Sequence, residues 1–122
     1  MEYEFIRDAQ GRLKAKVAMG QEVFGRWLSE ELGGDLARLE ALLADIAALE
    51  SGEKEQVSHY GQAFSLHLES EEVELVDNAL RFEFDEALEP DLRYYDEESL
   101  GGCGLVDFAQ LLRAWRHFVL EG

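Results

Sequence analysis

The sequence predicts a single α+β domain over residues 1–122, an antiparallel hairpin and meander sheet packed against two central helices and a C-terminal helix. Three observations carry this expectation. Apolar residues alternate at period two near the amino end and again in the middle, they recur at three- and four-residue steps between and after those stretches, and no repeat or linker divides the chain. With 122 residues, 47% hydrophobic and 11% aromatic, the chain is of single-domain size and well above the apolar-poor range of disordered chains.

Residues 2–7 alternate with Tyr3 and Phe5 on one side, and residues 12–17 alternate with Leu13, Ala15 and Val17 on one face. Asp8-Ala9-Gln10-Gly11 between them supplies turn chemistry, so the spacing predicts an opening β-hairpin. Arg7, Arg12, Lys14 and Lys16 lie on or beside its polar face and form the one basic cluster of the sequence.

From Gln21 the period becomes helical, with Val23, Phe24, Trp27, Leu28 and Leu32 on one stripe. Gly33-Gly34 ends it, since two glycines cost roughly 2 kcal/mol against alanines in a helix interior. Asp35 is a capping residue for a second helix, whose Leu36, Leu39, Leu42, Leu43, Ile46 and Leu49 run on to Ser51-Gly52; one kinked helix is the alternative. Phe64, Leu66 and Leu68 then alternate with polar neighbours, and Val73 and Leu75 follow a Ser70-Glu71 turn. A further strand carrying Leu80, Phe82 and Phe84 completes a short meander. Residues 85–103 hold the sole proline, Pro90, and read as an irregular connection. Leu105, Phe108, Leu112, Trp115 and Val119 mark a final helix, its stripe widened by Leu111 and Phe118.

The amino end lacks a basic patch and an apolar run, and no segment stays apolar for about 18 residues, so neither export nor membrane insertion is expected. A lone cysteine, Cys103, excludes an internal disulfide and fits a reducing, cytoplasmic setting. The net charge is −16; residues 83–98 alone contribute −7, while residues 1–20 sum to +1. Such a balance disfavours direct binding to nucleic-acid backbones and anionic lipid, and favours cations or a basic protein surface.

Met1-Glu2-Tyr3-Glu4-Phe5-Ile6-Arg7-Asp8, Met19-Gly20-Gln21-Glu22-Val23, Trp27, Tyr94-Tyr95-Asp96-Glu97-Glu98-Ser99-Leu100, Cys103-Gly104 and Asp107-Phe108 together resemble the YacL-type family of small bacterial proteins, nearly end to end. The resemblance implies one compact bacterial intracellular domain. It brings no catalytic residue, cofactor or partner to carry over.

Candidate sites concentrate late in the chain. Eight carboxylates fall between Glu83 and Glu98, opposed by Arg93, and Tyr94, Tyr95, Asp96, Glu97, Glu98 and Ser99 form the expected interaction surface. Oxygen-rich strings of this kind suit Ca²⁺ or Mg²⁺, but the spacing is not that of an EF-hand, and a solvated acidic face is the simpler reading, with no metal ligand set assigned. Glu97 and Glu98 as a catalytic pair fare no better, because adjacent residues on a strand point apart. Cys103 is the weak candidate for a reactive thiol: Gly101, Gly102 and Gly104 let backbone amides approach it, yet the acidity upstream raises its pKa. The same glycines are an incomplete dinucleotide fingerprint, with Asp107 where a glycine is required. His59, His67 and His117 are scattered, without ligand spacing.

The expectation for function is a non-enzymatic protein-interaction or regulatory domain presenting its acidic face to a basic partner, with no catalytic residue and no cofactor. The alternative is a small enzyme or divalent-cation-binding protein using residues 94–104. Mimicry of a phosphate backbone by carboxylates is a minor third. The width of the final helix's apolar stripe raises the expectation of a homodimer.

Overall fold

The amino-terminal turn forms because Asp8 Oδ1 accepts from the amides of Gln10 and Arg12, each at 2.9 Å, while Gly11 takes φ +82°. On either side run β1 (Tyr3–Arg7) and β2 (Leu13–Val17), antiparallel, with Phe5 opposite Ala15. Residues 2–18, 21–78 and 100–121 are described by this computed structural model. The alternation has the expected consequence: Ala15 and Val17 are buried while Lys14 and Lys16 are exposed.

The first helical stripe divides in two. α1 (Glu22–Trp27) passes into a π-helical turn (Leu28–Leu32), ended as expected by Gly33, whose amide reaches back five residues to the Leu28 carbonyl at 2.8 Å. Ser29 is the physical reason. Its hydroxyl donates to the Gly25 carbonyl at 2.8 Å and accepts the Ala15 amide of β2 at 2.8 Å, so a side chain intervenes in the helical ladder. Gly25 completes this seam: a Cβ there would lie 2.8 Å from the Ala15 carbonyl oxygen, so only glycine lets α1 approach β2 this closely.

Asp35 caps α2 (Leu36–Ser51) through Oδ1, which accepts from the Arg38 amide at 3.1 Å, and Gly52 closes the helix at φ +84°. Two helices with a break at Gly33-Gly34, rather than one kinked helix, is the outcome.

The second sheet has the order β3-β4-β5-β6, all antiparallel: β3 (Gln56–Tyr60), β4 (Phe64–Glu69), β5 (Glu72–Asp77) and β6 (Leu100–Gly104). Ser70-Glu71 makes the turn between β4 and β5 as the sequence predicts. Two strands were not expected. β3 precedes the recognised alternation, and β6 occupies the end of the stretch read as irregular. A strand of Leu-Gly-Gly-Cys-Gly has little intrinsic preference to extend; pairing with β5 on one side, and the Gln21 side-chain amide donating to the Gly102 carbonyl at 2.9 Å on the other, hold it there. The expected strand at Leu80, Phe82 and Phe84 and the connection through Pro90 lie outside the described residues.

α3 (Leu105–Glu121) follows β6 directly. α1 lies against β2, β5 and β6, α3 also lies against β5 and β6, and α2 packs on α3. One apolar core results, to which both sheets and all three helices contribute, with Phe24, Trp27, Phe64, Phe108 and Trp115 fully buried. Phe108 sits 5.8 Å from Phe24 and 5.6 Å from Trp27, centroid to centroid. Trp115 satisfies its indole by donating to the Gly33 carbonyl at 2.8 Å, which ties α3 to the end of the π-helical turn. No helix among the described residues is long and apolar enough to cross a membrane.

Candidate functional site

Period-two geometry gives the four-stranded sheet two unlike faces. Toward the helices point Val57, Leu68, Val73 and Cys103 in one row and His59, Leu66, Leu75 and Gly101 in the next. The outward face carries Ser58, His67, Glu74 and Gly102 in one row, with Gln56, Glu69, Glu72 and Gly104 toward the β4–β5 turn.

This outward face forms an open groove of about 920 Å³ bordered by Ser58, His67, Glu69, Glu72, Glu74 and the glycines of β6. Gly102 and Gly104 bring no side chain, which lowers the β6 border. Ser58 and His67 are cross-strand partners whose Oγ and Nδ1 lie 2.9 Å apart, and the Tyr60 ring stands edge-on to the imidazole at 5.6 Å. Glu69, Glu71, Glu72 and Glu74 are exposed and make no ion pair among the described residues.

Several carboxylates at the junctions between elements are engaged. Arg26 Nη1 lies 2.9 Å from Asp77 Oδ2 and its Nε 3.1 Å from Glu30 Oε2, with the guanidinium over the Phe64 ring. Burial alone would lower the Arg26 pKa, but its bonds to Asp77 and Glu30 raise it above the usual value. Asp45 receives Lys54 at 2.9 Å and His59 at 2.8 Å. Burial pushes the Asp45 carboxyl up, and these two partners outweigh it, holding the group below its usual range. Glu31, from the π-helical turn, accepts the Ala63 amide at 3.1 Å and braces the β3–β4 turn.

The chemistry available on the outward face is attraction of cations and N–H donors. Glu74 stands across the ladder from His67 but makes no hydrogen bond to the ring, so among the described residues no third group orients a Ser58–His67 pair as a nucleophile and base require. Among the described residues no group of three or more His, Cys, Asp or Glu side chains converges to hold a metal ion.

Of the residues singled out from the sequence, Tyr94, Tyr95, Asp96, Glu97, Glu98 and Ser99 lie outside the described residues. Cys103 is on β6, half-buried on the inward face opposite Val73, and burial followed by the Asp107 charge pushes its thiol up to about 12. Such a thiol stays protonated through the neutral range and is a poor nucleophile. The basic cluster is partly used locally: Lys14 lies 4.0 Å from Asp8 and Arg7 stacks on Phe118, while Lys16 stands opposite Glu4 in the ladder without an ion pair to it. The apolar width of α3 is also used within the chain. Leu111 is buried, and Phe118 packs 5.6 Å from Phe5 and 5.5 Å from Trp115.

Sequence reasoning missed the Ser58–His67 pair and the gathering of Glu69, Glu71, Glu72 and Glu74. The signal was partly present, since Ser65, His67 and Glu69 occupy the polar phase of β4; what was lacking was β3, whose register places Ser58 beside His67.

The model of the uncharacterised protein family UPF0231 matches residues 1–119. A UPF0231 protein of Edwardsiella ictaluri is 46% identical over 121 residues, covering 99% of each chain. Relatives from Yersinia enterocolitica, at 43%, and Escherichia coli, the UPF0231 protein YacL at 41%, cover the same shares. No solved structure matches the chain. On this full-length similarity, the chain belongs to the UPF0231 family.

Proposed function

We propose that the chain is a non-enzymatic interaction domain that presents the outward face of its four-stranded sheet to a basic protein surface. One observation carries this reading: Glu69, Glu71, Glu72 and Glu74 share an open groove without an ion pair among the described residues, while Asp45, Asp77 and Glu30 are all engaged. Unpaired carboxylates on one face repel each other by Coulomb's law, and a Lys- or Arg-rich partner relieves that repulsion as it binds. The net charge of −16 adds long-range steering toward such a partner. Residues 94–99, the expected interaction surface, lead in sequence directly into β6 at the border of this groove.

The test is calorimetric titration with a Lys/Arg-rich peptide and a scrambled-charge control. Glu71→Gln, Glu72→Gln and Glu74→Gln together are expected to weaken binding about tenfold or more. A second variant, Asp96→Asn with Glu97→Gln and Glu98→Gln, measures the share of the adjoining segment. Unchanged affinity in both variants overturns the reading.

A further inference from the structure

The open edge of β1 carries an inference independent of the acidic groove. The hairpin ladder alternates between residue pairs that exchange hydrogen bonds and pairs that do not. Asp8 N donates to Arg12 O and Ala18 N donates to Glu2 O, which fixes Glu2, Glu4, Ile6 and Asp8 as the residues whose backbone faces β2. The N–H and C=O groups of Tyr3, Phe5 and Arg7 therefore point away from it. The partner strand confirms the phase, because Ala15, opposite Phe5, sends its own amide outward to Ser29 Oγ.

The edges of the two sheets are not treated alike. The far edge of β2 is closed by Ser29 and by the close approach of Gly25, and the far edge of β6 by Gln21. The backbone of Tyr3, Phe5 and Arg7 meets no partner among the described residues, and Tyr3 is 42% exposed. An edge with unpaired groups at three alternate residues is a template for another strand.

We infer that this edge pairs with the β1 edge of a second copy of the chain, antiparallel about a two-fold axis through Phe5. In that register Phe5 faces Phe5 of the other copy and Tyr3 faces Arg7, so every open N–H and C=O of β1 is used. The side chains within β1 agree with it: Tyr3 meets a guanidinium and Glu4 meets Ile6, while the like-charged pair of this register, Glu2 facing Asp8, falls just outside the strand at either end. Position in the molecule agrees as well. A chain of net charge −16 repels its own copies, and residues 1–20, which sum to +1, are where that repulsion is weakest. The hairpin gains most from the contact, since two strands become four.

Tyr3→Pro tests this without disturbing the hairpin, because the Tyr3 amide lies outside the β1–β2 ladder and proline is tolerated on such an edge. Sedimentation equilibrium is expected to show the wild type near twice the chain mass of 13.9 kDa at high concentration, and Tyr3→Pro weaker by about tenfold or more with its circular dichroism unchanged. A wild type that stays monomeric at millimolar concentration, or a folded Tyr3→Pro variant that dimerises equally well, overturns the inference and leaves the acidic-face reading untouched. A cross-link decides the matter if Tyr3→Pro fails to fold. Glu4→Cys and Ile6→Cys chains mixed under a mild oxidant are expected to join to each other, since the two positions face across a non-hydrogen-bonded pair. Failure of the mixture to link more than either variant alone overturns it.

Discussion

The carboxylates where α1 and α2 meet the sheet and those on its outward face are the same chemical groups in opposite situations. Asp77 and Asp45 are each 15% exposed and are held by Arg26, or by Lys54 and His59, so their charge links helix to strand. Glu69, Glu71, Glu72 and Glu74 are exposed and hold nothing within the described residues. The first set belongs to the fold. The second costs a little repulsion and gains nothing from the described residues, which is what the proposed binding face requires.

The largest effect is expected at Arg26. Arg26→Ala removes the ion pairs to Asp77 and Glu30 and the cation over the Phe64 ring, and urea unfolding is expected to show a loss of about 2 kcal/mol. Asp45→Asn follows, at about 1 kcal/mol near neutral pH, and it sharpens the comparison through its pH dependence. Because the folded Asp45 carboxyl lies below its ordinary 3.8, its stabilisation is present above that value and is lost as pH falls through the folded one. Acid unfolding curves of wild type and Asp45→Asn are therefore expected to converge below pH 3.8. Glu72→Gln with Glu74→Gln should move stability by no more than about 0.5 kcal/mol, and upward if at all, since only repulsion is removed. A loss of the size seen at Arg26 would break the distinction.

Cys103 offers a separate check on the inward face. With its thiol pushed up to about 12, the native chain is expected to react with a disulfide reagent at pH 8 far more slowly than the unfolded chain. Equal rates would place the thiol in solvent.

The hairpin, the helix ends at Gly33 and Gly52, the Asp35 cap and the β4–β5 turn were legible because each is written in local chemistry, a periodicity closed by a glycine or an acceptor side chain. β3 was not. Its inward phase is carried by Val57 and by His59, a half-buried polar residue bonded to Asp45, which alternation alone cannot identify. β6 was hidden for the complementary reason, since three glycines in five residues argue against a strand and it takes distant partners, β5 and Gln21, to make one of them. The single helix stripe through Leu32 concealed the π-helical turn because Ser29, its cause, acts through β2. The acidic groove required both missing strands, so the sequence singled out the carboxylates from Glu83 to Glu98 by their count and not those from Glu69 to Glu74, which only the sheet brings together.

The central claim is that the outward sheet face is the chain's binding face. Nitrogen–proton correlation spectra recorded during titration with a Lys/Arg-rich peptide test it residue by residue. The account predicts shifts concentrated on the β4–β5 turn from Glu69 to Glu74 and on β6, fading as salt rises from low to physiological strength. Shifts confined to other surfaces, or none at millimolar peptide, would contradict it.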